Sequence, residues 1–264
     1  MAEPRPVEHE VVGEGPPVVL IHSDVADSRL WSAQVEALAP SHFVVTYDRP
    51  GFGRTPLPAG PFSQVEDLRG LFDRLGLGSA SLVGCSGGGS VALDFALTFP
   101  GRVDRLVLVA AGLAGWDWSA EMQAVGEKET RLFDAGDDEG AAEGQVRTWA
   151  DGRRQPEEVS PDVREYTREA VLRSYAHYRT ALEQGEPGPA VRLDPPAPER
   201  LGDVRAPTLV VVGEADVEDM HRIADRLAGG IPGARKEVVV GAAHMLPLEQ
   251  PDELNRLLLE FLDA

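Results

Sequence analysis

The chain has 264 residues, 42% hydrophobic and 26% charged, a globular composition that excludes disordered, collagen-like and coiled-coil chains. Its formal net charge of −19 argues against a nucleic-acid partner, which needs clustered Lys and Arg, and against anionic membranes. The start is acidic and proline-containing where a signal peptide would be basic and then apolar, no stretch approaches membrane-spanning length, and the single cysteine, Cys85, has no partner for a disulfide; the expectation is a cytoplasmic protein.

In chain order, Val7 to Val12 is a short extended segment and Gly13 to Pro17 a turn. Val18 to Ile21 is a continuous apolar run, as expected of a strand covered on both faces, and it ends at His22-Ser23-Asp24. A helical pattern with Leu30, Val35 and Leu38 on one face stops before Pro40. Phe43 to Tyr47 reads as the next strand, Asp48 to Gly53 as a sharp loop, and Ser63 to about Leu75 as a helix. Ser81 to Cys85 is a buried strand that turns on glycines into a helix carrying Val91, Ala92, Phe95, Ala96 and Phe99 at helical spacing. Arg105 to Ala110 and Pro207 to Val212 are two further strands.

Between them, Gly112 to Pro198 holds tryptophans, tyrosines and helical charge patterning with no convincing strand. That is too long for a simple crossover. The expected organisation is a core of residues 1–112 and 199–264, with a helical cap of residues 113–198 lying over the sheet edge. Val217 to Leu227 as a helix, Glu237 to Val240 as a strand and Glu253 to Leu262 as a helix complete the chain. Strands alternating with helices predict an α/β fold with a mostly parallel sheet and a site outside the carboxyl ends of its strands. The polar residues standing there are His22, Ser23, Asp24, Asp48, Ser86, Glu214, Asp216 and His244.

Gly84-x-Ser86-x-Gly88 is what a nucleophile elbow needs, because so tight a turn leaves no room for side chains beside the serine. The order Ser86, Asp216, His244 resembles the α/β-hydrolase superfamily, in its serine-nucleophile esterase and lactonase-like branch. The likeness spans nearly the whole chain: Val18 to His22 resembles the strand before the oxyanion loop, Asp48-Arg49-Pro50-Gly51-Phe52-Gly53 an Asp-x-Pro-Gly-x-Gly turn, Leu209 to Asp216 the strand and turn presenting the acid, and Gly241 to His244 the turn presenting the histidine. The resemblance implies that Ser86 attacks a carbonyl, His244 serves as base and then acid, and Asp216 orients the imidazole. It also implies Gly87 and, from the loop after the Val18 to Ile21 strand, Asp24 as backbone donors to the oxyanion, with Ser23 as the alternative to Asp24.

In this loop Ser23-Asp24 stands where His-Gly usually opens it. A carboxylate aimed above Ser86 would oppose the oxyanion and rule Asp24 out, so the Asp24 side chain is expected to point away or to hydrogen-bond within the loop. Glu214 and Asp219 compete with Asp216 for the acid role. Ser23, Cys85, Trp116 and Trp118 are candidates for the substrate pocket. His221 with Asp216 and Asp219 lacks a second histidine at ligand spacing, and no glycine-rich phosphate loop occurs; no metal and no cofactor is expected. The expected partner is a small-molecule acyl substrate. Acyl transfer by the same triad and non-catalytic ligand binding are the other two readings of the sequence.

Overall fold

Residues 3–185 and 187–264 are described by a computed structural model. The strands are β1 (His9–Val12), β2 (Pro17–Ile21), β3 (Phe43–Tyr47), β4 (Gly60–Phe62), β5 (Ala80–Cys85), β6 (Val103–Val109), β7 (Pro187–Ala190), β8 (Thr208–Gly213) and β9 (Arg235–Val239). Seven of them form a sheet in the order β1-β3-β2-β5-β6-β8-β9. Only the β1–β3 pair is antiparallel. The helices are α1 (Ser32–Leu38), α2 (Gln64–Leu75), α3 (Gly87–Thr98), α4 (Ala120–Asp134), α5 (Asp138–Gln145), α6 (Pro161–Gln184), α7 (Glu218–Gly230), α8 (Leu246–Glu249) and α9 (Pro251–Leu262). This is the α/β architecture expected from the sequence, with strand ends shifted by one or two residues.

Side-chain alternation sorts each buried strand between two apolar layers. Val19, Ile21, Leu82, Leu108 and Val210 pack with Leu71 and Phe72 of α2, Phe95 of α3 and Ile223 of α7. Val18, Leu20, Val83, Val109 and Val211 pack on the other face with Leu38 of α1 and Leu258 and Phe261 of α9. Helix α2 shows how sequence sets the ends: the Ser63 hydroxyl accepts from Glu66 N at 3.3 Å, and Gly76 closes the helix at φ 67, where glycine bears no Cβ penalty.

The chain leaves β2 for β3 on one side and returns to β5 on the other. The crevice of such a sheet opens at this reversal, beyond the carboxyl ends of the strands. Ile21 lies in register with Gly84, which brings His22-Ser23-Asp24 beside Ser86. In the stretch between β6 and β8, Ala142, Val146, Ala150, Val163 and Val171 bury themselves in the same layer as α1 and α9.

One element there differs from the sequence reading, which has no strand between Gly112 and Pro198. β7 pairs in parallel with β4 as a two-stranded ribbon, and Val191 N extends it by donating to Phe62 O at 2.7 Å. The glycines and prolines in Gly60-Pro61-Phe62 and Pro187-Gly188-Pro189-Ala190 read as loop, and such residues are tolerated only in short, unshared edges of this kind.

Asp94 of α3 is 9% exposed, and its Oδ1 has no partner among the described residues. Burial pushes its carboxyl up to about 6, although Arg192 and Arg200 pull the other way. With the folded value above the unfolded one, this stabilisation is full below about pH 4 and lost as pH rises through about 6. Asp94→Asn is expected to raise stability near pH 7.5 by up to about 3 kcal/mol and to change it little near pH 4. Urea unfolding of both proteins at the two pH values checks this.

Candidate active site

Ser86 sits between β5 and α3 at φ 52, ψ −120, a conformation that costs a non-glycine residue about 1–3 kcal/mol. Its backbone is pinned on both sides. Ser86 N donates to Val109 O at 3.0 Å, and Ser86 O accepts from Gly89 N at 2.8 Å, Ser90 N at 3.1 Å and Gly112 N at 2.8 Å. The flanking glycines are required by space: a Cβ on Gly84 would stand 2.4 Å from Gly88 O, and one on Gly88 would stand 2.3 Å from Ile21 O.

After β8 and β9, two turns bring an acid and a histidine together. His244 Nδ1 lies 2.9 Å from Asp216 Oδ2, and both residues are buried. The other carboxylate oxygen, Oδ1, accepts from Val217 N at 2.8 Å, which fixes the carboxylate. Gly213 permits the approach, since a Cβ there would stand 2.3 Å from Ala243 O. The competing acids are engaged elsewhere. Glu214 accepts from Gly241 N at 3.3 Å; Asp219 accepts from Trp116 Nε1 at 3.2 Å and Ser119 N at 3.1 Å. Among the described residues no hydrogen bond joins Ser86 to His244. Such contacts are often loose without substrate and tighten in the reacting complex.

Residues 151–154, between α5 and α6, clasp both turns. Arg153 N donates to Ala215 O at 2.9 Å, and Arg154 Nη1 donates to Gly241 O at 3.1 Å. Arg154 also pairs with Glu249, whose Oε1 accepts from Ala243 N at 3.0 Å. Trp149, just before the clasp, packs on His244 with ring centroids 4.4 Å apart and planes tilted by 43°, and its Nε1 donates to Gln145 at 2.8 Å.

Ser86, Gly87, Asp24, His244, Trp118 and Trp149 line a cavity of about 790 Å³, which α4 and α6 cover with Met122, Val125, Glu129 and Tyr175. The Tyr175 hydroxyl donates to Glu129 Oε1 at 2.7 Å. Burial keeps the Glu129 carboxyl above its usual range despite that bond, with the charge of Asp24 adding to the effect. Three pocket candidates from the sequence lie outside this lining. Trp116 is turned to Asp219 and packs on the core. Ser23 is buried and accepts from Val25 N at 3.3 Å. Cys85 points into the layer opposite α3, and its thiol pKa is pushed up by burial and by the Asp216 charge.

His22 is buried. Its Nδ1 meets Ser23 O at 2.8 Å and its Nε2 accepts from Arg49 N at 2.9 Å, so it is a neutral structural residue. Burial, aided by Arg49, pushes its pKa down to about 4.

Asp24 corrects an expectation. Its side chain neither turns away nor bonds within its own loop. It stands on the cavity side, where a Cβ on Gly87 would lie 2.2 Å from its Oδ2, and its Oδ1 accepts from Arg49 Nη2 at 2.6 Å. Desolvation works against ionisation there, but the charge and hydrogen bond of Arg49 prevail and hold the Asp24 carboxyl below its usual range. An ion pair between residues so far apart in sequence leaves no local signature. Among the described residues no three His, Cys, Asp or Glu are grouped to hold a metal ion, and no helix is long and apolar enough to cross a membrane.

Ser86, Asp216 and His244, in that order, stand beyond the carboxyl ends of strands of this mostly parallel sheet. The chain belongs to the alpha/beta hydrolase family, whose profile matches residues 18–257. It is 27% identical to 2-hydroxy-6-oxo-6-phenylhexa-2,4-dienoate hydrolase of Comamonas testosteroni, over 97% of this chain and 91% of that protein. With carboxylesterase YbfK of Bacillus subtilis it shares 25% identity over 94% of this chain and 81% of the relative. The structure of Est816, described as an N-acyl homoserine lactone degrading enzyme, matches with a TM-score of 0.77 at 27% identity, covering 97% of this chain and 96% of that one. The first is named as a hydrolase, the second as a carboxylesterase and the third as a lactone-degrading enzyme.

Proposed function

We propose that the protein is a serine hydrolase that cleaves a carboxylic ester, thioester or lactone through an acyl-enzyme. The observation that carries this reading is the buried contact of 2.9 Å between His244 Nδ1 and Asp216 Oδ2 on the wall of the cavity that also holds Ser86. With Nδ1 committed to the carboxylate, the imidazole keeps Nε2 as an acceptor, the tautomer a general base needs. Ser86 Oγ bonds to the carbonyl carbon while its proton passes to Nε2; the tetrahedral intermediate collapses, and the leaving alcohol or thiol takes that proton. Water, deprotonated by the same nitrogen, then releases the acid and restores Ser86.

The oxyanion is assigned to the N–H of Gly87, at the start of α3; Asp24, whose carboxylate stands on the cavity side beside Gly87, is withdrawn as the second donor. Such a donor is worth about 3 kcal/mol in the transition state. The Asp24 carboxylate next to Gly87 opposes this charge, an effect that its ion pair with Arg49 reduces. The cavity, about 790 Å³, has the size and mixed aromatic and polar lining of a small-molecule site. A fluorophosphonate probe tests the reading: wild type is expected to label and Ser86→Ala is not. A folded wild type that stays unlabelled overturns it.

A further inference from the structure

Beside the cavity of Ser86 lies a second one of about 380 Å³. Its apolar walls are Pro50, Phe52 and Leu57 from the loop after β3, Phe62 of β4, and Tyr178 and Ala190 from α6 and β7. Asp24 and Ser174 line both cavities, so these two side chains are the partition between them. The β4–β7 ribbon, which the reacting groups do not touch, supplies part of the second cavity's wall.

The partition is held from behind. The guanidinium of Arg49, 1% exposed, donates from Nη2 to Asp24 Oδ1 at 2.6 Å and from Nη1 to Gln64 Oε1 at 3.1 Å. It also lies 4.6 Å from the centre of the Phe52 ring. A surface aspartate samples several rotamers, whereas one drawn onto a buried, stacked guanidinium keeps one. The Asp24 side of this boundary is therefore held in one rotamer, and Ser174 contributes a small side chain to it. Past that boundary from Ser86 stand Pro50, Leu57 and Phe62, with Gln64 among them.

We infer that the second cavity is a subsite for an unbranched apolar arm of the substrate, threaded between Asp24 and Ser174. This rests on the hydrolase reading above. Ser174→Phe narrows the way between them and Leu57→Ala deepens the second cavity, so the two changes act in opposite directions. Each is assayed with p-nitrophenyl acetate, octanoate and dodecanoate, and with octyl acetate to place the arm on the alcohol side.

Ser174→Phe is expected to lower the octyl-to-acetyl ratio of kcat/KM by at least about tenfold in one of the two series, the range a hydrophobic pocket achieves for chain discrimination. Leu57→Ala is expected to raise the dodecanoate-to-octanoate ratio, or its alcohol counterpart. Ratios left unchanged by both variants overturn the subsite. Calorimetric binding of octanoate against acetate to Ser86→Ala separates the two readings. A preference for octanoate that Ser174→Phe removes supports the subsite even where turnover is absent; for an arm on the alcohol side the pair is octanol against ethanol, and no preference in either pair overturns the subsite even where turnover depends on Ser86.

Discussion

Replacing Ser86 with alanine is expected to lower turnover of an activated ester by about six powers of ten, the scale on which triads fail when the nucleophile goes. The fold is not expected to follow. Alanine keeps the Cβ, and all four hydrogen bonds that pin residue 86 at positive φ are made by its backbone, so the melting temperature should stay within a few degrees of wild type. Initial rates on p-nitrophenyl acetate, with thermal unfolding as the control, measure both. A variant that retains a tenth of the wild-type rate would mean that another group attacks the carbonyl.

Asp216→Asn should cost about four powers of ten in kcat, because the wrong imidazole tautomer is then favoured. The direction follows from the two bonds of the carboxylate. Oδ1 accepts from Val217 N and Oδ2 faces His244 Nδ1, so an asparagine keeps its oxygen on Val217 and turns its NH2 group toward the histidine. Nδ1 must then accept, and the proton moves to Nε2, where it blocks uptake from Ser86. Glu214→Gln is the comparison: its carboxylate serves the Gly241 amide, and the rate should stay within about tenfold. Equal losses in the two variants would remove Asp216 from the proposed role.

What the sequence discloses here depends on how local the physical constraint is. The elbow is legible because the residues that answer its requirement lie within five positions: Gly84 abuts the backbone of Gly88 and Gly88 that of Ile21, where no side chain could share space. The buried strands are legible because their runs are apolar throughout. The aromatic lining is not, since Trp116 and Trp118 differ only in the direction their side chains take from one loop, one toward Asp219 and the other into the cavity. Trp149 is hidden differently. It lies in a turn of π-helix, Val146–Ala150, which shifts its phase relative to α5 and brings the ring over His244. The Asp24–Arg49 pair and the β4–β7 ribbon are long-range contacts between segments whose own composition suggests only loops.

The clasp at residues 151–154 also sets which part of the cover can yield. Its hydrogen bonds end on the turns that carry Asp216 and His244, so lifting it would strain the contact between those two residues. Helix α4 is tied differently: none of its residues is buried, although Met122, Val125 and Glu129 face the cavity. Few apolar contacts mean a low free energy of local opening, and amide hydrogens of α4 should exchange with deuterium well before those of α3 or of residues 151–154. Solvent and ligand traffic is then expected to pass under α4, with Asp216 and His244 kept in register.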